Sequence, residues 1–197
     1  MLSETKEKKT IILVNISSIT VGGGVQVAIS FIEYLQENKS EYSNIEFIFI
    51  ITRTLENIIG NLDQFKFYVV EKSPANPFNS FFTRRYIKKI ESEVKPNIIY
   101  SLGFPSYINF KNPELGRYTN PYEICNSEIA FQQLNILEKI KRKFLNSYRK
   151  FYAAKATFFV TQTETAKSGI IKRFKVNKKN ILVSSNSLNK RFKLQKN

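Results

Sequence analysis

The sequence predicts an α/β fold, a mainly parallel sheet with helices on both faces, and three observations carry that reading. Apolar runs of strand length alternate with amphipathic runs of helix length along most of the chain. The apolar runs, Ile45–Thr52 above all, hold too few polar residues for a sheet with one wet face. The first strand opens through Gly22-Gly23-Gly24 into a helix, a junction that turns free backbone amides and the positive end of a helix dipole toward whatever sits above the strand.

The elements follow in order. Thr10–Ile16 reads as a buried strand and Gly24–Asn38 as a helix, with Ala28, Phe31, Ile32 and Leu35 at i, i+3, i+4 and i+7. Ile45–Thr52 is the second strand, Leu55–Asn61 a short helix and Phe65–Val70 the third strand. Ser73–Asn79, with two prolines, is a loop, and Ser80–Val94 is a helix broken by Lys95-Pro96-Asn97. Ile98–Ser101 is a core strand, and a short strand is expected at Gly116–Thr119 within the less regular stretch Leu102–Asn126. Ser127–Ala154 reads as one long helix with an apolar stripe of Ala130, Leu134, Leu137, Phe144, Tyr148 and Phe151. Thr157–Thr161, Glu164–Phe174 and Ile181–Ser184 complete the pattern as strand, helix and strand. Residues 1–8 are expected to fray, 9–190 to form one domain, and 191–197 to be a tail or the start of a crossing to another domain.

Composition removes whole classes of chemistry. The chain has 197 residues, no histidine, one cysteine (Cys125) and one aspartate (Asp63). A Ser-His-Asp triad, a Cys-His dyad, a zinc site and an internal disulfide framework are therefore excluded, and no metal or resident cofactor is expected. Cys125 reads as a small packing residue. No window approaches a membrane span, and the charged N-terminus lacks a signal-peptide core, so a cytoplasmic location is expected. The net charge is +15 and uneven: residues 1–100 hold 12 Lys/Arg against 11 Asp/Glu, residues 101–197 hold 19 against 5. Such asymmetry points to a polyanionic partner: nucleic acid, an anionic membrane surface or a phosphorylated substrate.

Repeated strand–helix units of this kind make a Rossmann-like sheet, whose ligands bind at the carboxyl ends of the strands. Those ends are Ser17–Gly24, Ser101–Tyr107, Thr119–Tyr122, Thr161–Thr165 and Ser184–Asn186, all rich in small polar residues, Gly or Asn. The glycine turn is neither GxGxxG nor a P-loop, and Thr52-Arg53 stands where a dinucleotide-binding acid would close the second strand. A nicotinamide-dependent dehydrogenase is disfavoured.

The order Ile12-Leu13-Val14-Asn15, then Gly22-Gly23-Gly24-Val25-Gln26-Val27-Ala28, resembles the start of family-4 glycosyltransferases, enzymes of the GT-B fold. Lys95-Pro96-Asn97-Ile98-Ile99-Tyr100 resembles that family's strand entry. So does Thr161-Gln162-Thr163-Glu164-Thr165-Ala166, followed by Ile171-Lys172-Arg173-Phe174, Ile181-Leu182-Val183 and Ser185-Asn186. The resemblance covers residues 9–190 and implies the N-terminal, acceptor-side half of a glycosyltransferase. It implies sugar transfer from a nucleotide-sugar to a glycan or lipid-linked acceptor, with retention and without a metal. The family's paired glutamates, seven residues apart in the second domain, are absent here. So is the histidine many members place near the reaction centre, and Asn120-Pro121-Tyr122 stands in that neighbourhood. The implied partner is a C-terminal donor-binding domain, in cis or as a separate chain, and the isolated chain is expected to be inactive.

Each candidate residue has a plain reading beside the functional one. Gly22, Gly23 and Gly24, with Gln26, are candidates for donor-phosphate or acceptor contact, or form a tight turn needing positive φ. In a closed enzyme the turn's amides would neutralise charge on the departing nucleoside diphosphate. Ser101, Gly103, Asn120 and Tyr122 line the acceptor side of the cleft or are ordinary loop residues. Gln162 and Thr163 line the cleft or, with Glu164, cap a helix; Asn186 binds or forms an Asx turn. Lys139, Lys141, Arg142, Lys143, Arg149 and Lys150 are membrane-surface candidates or a solvated helix face. No catalytic residue is assigned. Two rivals remain: a non-catalytic half of a split glycosyltransferase that binds acceptor or partner, and a basic nucleic-acid-binding module. The second is disfavoured, since no RNP-like strand, helix-turn-helix or KH loop is present.

Overall fold

The computed structural model describes residues 9–60, 64–120 and 134–185. Seven strands form one sheet in the order β3-β2-β1-β4-β5-β6-β7. They are β1 (Thr10–Asn15), β2 (Ile45–Thr52), β3 (Lys66–Val70), β4 (Ile98–Ser101), β5 (Glu114–Arg117), β6 (Phe158–Thr161) and β7 (Ile181–Val183). Every pairing is parallel, as the apolar strands require. Among the described residues the α-helices are α1 (Gly23–Glu37), α2 (Arg53–Ile59), α3 (Phe81–Val94), α4 (Ile136–Ala153) and α5 (Glu164–Phe174). The expected Rossmann-like α/β architecture is present.

The two-residue period of the strands splits the core into layers. Val14, Phe49 and Ile51 pack with Ala28, Ile32 and Leu35 of α1. Their neighbours Leu13, Ile48 and Ile50 pack with Ile87 and Ile90 of α3 on the other face. A third cluster joins Tyr118, Phe159 and Ile181 to Ala153 at the end of α4 and to Ile170 and Phe174 of α5.

Three element boundaries shift by two residues or more. The fifth strand starts at Glu114 rather than Gly116, because Glu114 pairs in register with Ile99 and is buried. The second helix starts at Arg53 rather than Leu55: Thr52 Oγ1 accepts from the Leu55 amide at 3.3 Å, and Gly60, at φ +71°, ends the helix. The long helix is capped at Asn135 and runs from Ile136, and residues 127–133 of its expected range lie outside the described residues. Asn135 Oδ1 accepts from the Glu138 amide at 2.8 Å, and Glu138 Oε2 accepts from the Asn135 amide at 3.1 Å. This reciprocal capping box needs an extended Asn135, which no continuing helix supplies. The apolar stripe of this helix is largely uncovered: Leu137, Phe144 and Phe151 are exposed, Leu134 is half-buried, and Tyr148 stacks on Tyr107. Ala130 lies outside the described residues.

Candidate functional site

The strand order reverses at β1: the chain builds β2 and β3 to one side and then crosses to lay β4 on the other. In parallel sheets the crevice at this switch point is where ligands bind. Asn15 and Ser101, the last residues of β1 and β4, sit opposite each other in register beneath it.

The glycine turn lies directly above. Gly22 has φ +73° and caps α1 without a side chain, and the first turn of α1 holds no acid. The first amides of a helix lack intrahelical acceptors, so this end presents donors and positive dipole toward the crevice. The three glycines differ. Gly22 needs its unusual φ. A Cβ on Gly24 would approach Ile19 Cγ2 to 3.1 Å, whereas a Cβ on Gly23 would meet nothing within 4 Å. Gly23 therefore opens space that the fold itself does not use. Gln26, one turn along, is exposed.

Two loops close against each other at the base of the turn. Ser18 Oγ donates to the Gly103 carbonyl at 2.6 Å. Ser101, expected at the cleft wall, is fully buried at the end of β4. Its hydroxyl donates to Glu114 Oε1 at 2.5 Å and accepts from Asn15 Nδ2 at 3.4 Å. Asn15 Oδ1 accepts in turn from Ser17 Oγ at 2.6 Å and from the Ser17 amide at 3.2 Å. A buried chain of contacts thus runs from β5 through β4 and β1 into the glycine loop. Burial pushes the Glu114 carboxyl from 4.5 up to about 7; hydrogen bonds from Ser101 and Ser106 pull it down, and Glu91 pushes it up.

Thr161 Oγ1 donates to the Tyr118 carbonyl at 3.1 Å, tying the carboxyl ends of β5 and β6 together. Asn120 lies in the segment that leaves β5 there. Thr163 is the N-cap of α5, accepting from the Ala166 amide at 3.1 Å, with Glu164 in the first turn; the plain reading of these two holds. Gln162 lies between β6 and that cap. Tyr122, Cys125 and Asn186 lie outside the described residues.

The membrane-surface candidates all lie on α4. Its last turns are held by Arg84 of α3, which donates to both the Tyr148 and Tyr152 hydroxyls and to the carbonyls of Pro74 and Asn76. Tyr107 stacks on Tyr148 with centroids 5.4 Å apart. Sequence reasoning missed Glu114, Asn15, Ser17, Ser18 and Arg84 as organising residues. The one available signal was a lone glutamate opening a short apolar strand, Glu114-Leu115-Gly116. Among the described residues there is no cluster of metal-ligating side chains, and no helix is long and apolar enough to cross a membrane.

No protein-family model and no curated protein matches the chain. Among solved structures it is similar to a glycosyltransferase of Rickettsia africae ESF-5, with TM-score 0.55 and 17% identity over 93% of this chain and 45% of that one. It is similar to a UDP-GlcNAc 2-epimerase from Neisseria meningitidis, with TM-score 0.55 and 12% identity over 90% and 46% of the two chains. A sucrose-phosphate synthase from Thermosynechococcus elongatus gives TM-score 0.51 and 13% identity over 90% and 47%. The chain spans a little under half the length of each of these proteins. Its fold is that of one Rossmann-like half of a GT-B enzyme.

Proposed function

We propose that this chain is the acceptor-side half of a glycosyltransferase that moves a sugar from a nucleotide-sugar to a glycan or lipid-linked acceptor. The observation that carries this reading is the open glycine turn at the switch point of a GT-B-type half: Gly23 clears space that packing does not require. There, the amides at the start of α1 stabilise negative charge developing on the departing diphosphate, an electrostatic role that needs neither histidine nor a metal held by this chain. Retention of configuration follows from the family resemblance. Donor selection belongs to a second domain, in cis or on a separate chain, and the chain alone does not turn over. The cations of α4 bring the acceptor side to an anionic membrane surface on the cytoplasmic side.

The test is transfer. The chain, combined with a donor-binding domain from its own locus, is given a panel of nucleotide-sugars with membrane lipid and glycan acceptors, and nucleoside diphosphate release is measured. Release that requires both halves and an acceptor supports the reading. A folded pair that releases nothing from any donor overturns it, and an inert chain that still raises the partner's affinity for acceptor points to the split, non-catalytic role.

A further inference from the structure

We propose that α4 and the start of α3 form one surface that inserts apolar side chains into an anionic lipid bilayer. This rests on the acceptor being presented at a membrane and adds the elements that dock there and the means. Among the described residues, α4 is packed against the body in its last turns, through Tyr148, Tyr152 and Ala153. At roughly 100° per residue, Leu137, Ile140, Phe144 and Phe151 fall on the same side of the helix as Tyr148. They continue the packed face beyond the body and stand 58–76% exposed together with Ile136. Arg84 pins this helix to α3, and within one turn of Arg84 stand Phe81 and Phe82, 65% and 82% exposed. Two elements joined by one arginine thus present large apolar side chains to the outside.

Charge decides the occupant. Ile136–Ala153 carries six Lys/Arg and one glutamate, and Lys139, Arg142, Lys143 and Lys150 fall on the side opposite the apolar row. Lys141 falls within that row, and a lysine there can lay its stem along apolar surface with its ammonium in the headgroup region. An apolar row backed by cations matches the acyl–headgroup boundary of an anionic leaflet. A second copy of this chain would set like charge against like, and a nucleic acid would leave the phenylalanines in water.

The test is flotation with phosphatidylcholine vesicles, with and without phosphatidylglycerol, at low and high salt. The chain is expected to float with the anionic vesicles, retaining a salt-resistant fraction. The pairs Leu137→Ser/Phe144→Ser and Phe81→Ser/Phe82→Ser are each expected to weaken binding about tenfold, in keeping with lost partial burial of two large side chains. Lys139→Glu/Lys143→Glu is expected to erase the preference for anionic vesicles. Because the chain holds no tryptophan, Phe144→Trp is a clean probe, and a blue-shifted emission on vesicles reports insertion. All substituted residues but Lys139 and Lys143 are exposed apolar groups, so unchanged thermal unfolding verifies the fold. Absence of binding overturns the proposal, as does binding that both serine pairs leave intact. Self-association or capture by the donor-binding half without vesicle binding also overturns it, and assigns the face to protein. Flotation reads no transfer, so its failure leaves the glycosyltransferase reading standing.

Discussion

Ser18 and Gly103 are locked together at the switch point: the serine Oγ donates to the glycine carbonyl at 2.6 Å, and a Cβ on Gly103 would stand 2.3 Å from that same oxygen. It would also meet Ile19 Cγ1 at 2.5 Å. The serine cannot swing aside without giving up its hydrogen bond, so a methyl at Gly103 forces the Ser18 and Ile19 side chains to shift. Gly103→Ala is expected to lower stability by ~1–3 kcal/mol through overpacking. Ser18→Ala added to it should recover part of that loss, measured by denaturant unfolding; full additivity of the two would show that the loops do not meet as described.

Gly23 should behave in the opposite way. Its position is helical with open space at Cβ, so Gly23→Ala is expected to leave stability unchanged or raise it by up to ~1 kcal/mol. In the complete two-domain enzyme the added methyl should lower kcat/KM by about tenfold or more, as expected from losing one electrostatic contact to the diphosphate. A stable variant with undiminished transfer would remove the glycine turn from the reaction.

Glu114 gives the protein a pH dependence of definite sign. Its folded-state value is raised from 4.5 to about 7, so between those values the native protein keeps a proton that the unfolded chain has released. Stability is therefore full below 4.5 and falls as the pH rises through 7, by on the order of 3 kcal/mol if the whole shift is expressed. Glu114→Gln keeps an acceptor for Ser101 and should flatten the profile, unfolding later than the parent above neutral pH. Identical profiles for the two proteins would show that the carboxyl titrates elsewhere.

Arg84 is expected to be the main tie between α4 and the body. Arg84→Met keeps the aliphatic stem but loses the hydrogen bonds to Tyr148, Tyr152, Pro74 and Asn76, and should cost ~2–4 kcal/mol. Amide hydrogen exchange should rise in the last turns of α4 while β1 and β2 stay protected. Uniform change across the sheet would mean that the arginine supports the whole fold rather than this helix.

The layers of the sheet were legible because its strands are apolar on both faces, as Ile48, Phe49, Ile50 and Ile51 show by packing alternately against α3 and α1. The glycine turn was legible from its residue types, though only the backbone conformation separates Gly22, which needs its φ, from Gly23, which does not. The link from Glu114 to Ser101 was not legible, because it depends on β5 lying beside β4, a pairing that periodicity within each segment does not encode. The start of α4 was written in the sequence as Asn135 with Glu138 three residues on, but helical spacing upstream masked that cap. The exposure of Phe144 and Leu137 was hidden for another reason: amphipathic spacing marks a face, not what covers it.

The placement of β4 beside β1 also constrains how the polypeptide reaches this state. The bond from Asn15 to Ser101 spans 86 positions of the chain. During synthesis β1, β2 and β3 emerge and can pair long before β4 exists, leaving one edge of β1 with its backbone N–H and C=O groups unpaired. That edge is paired only once Ile98–Ser101 arrives and lies in register with it, Leu13 beside Ile99 and Val14 beside Tyr100. Substitutions that weaken β4 should therefore appear first as lost yield and aggregation of newly made chains, before any defect in the finished protein.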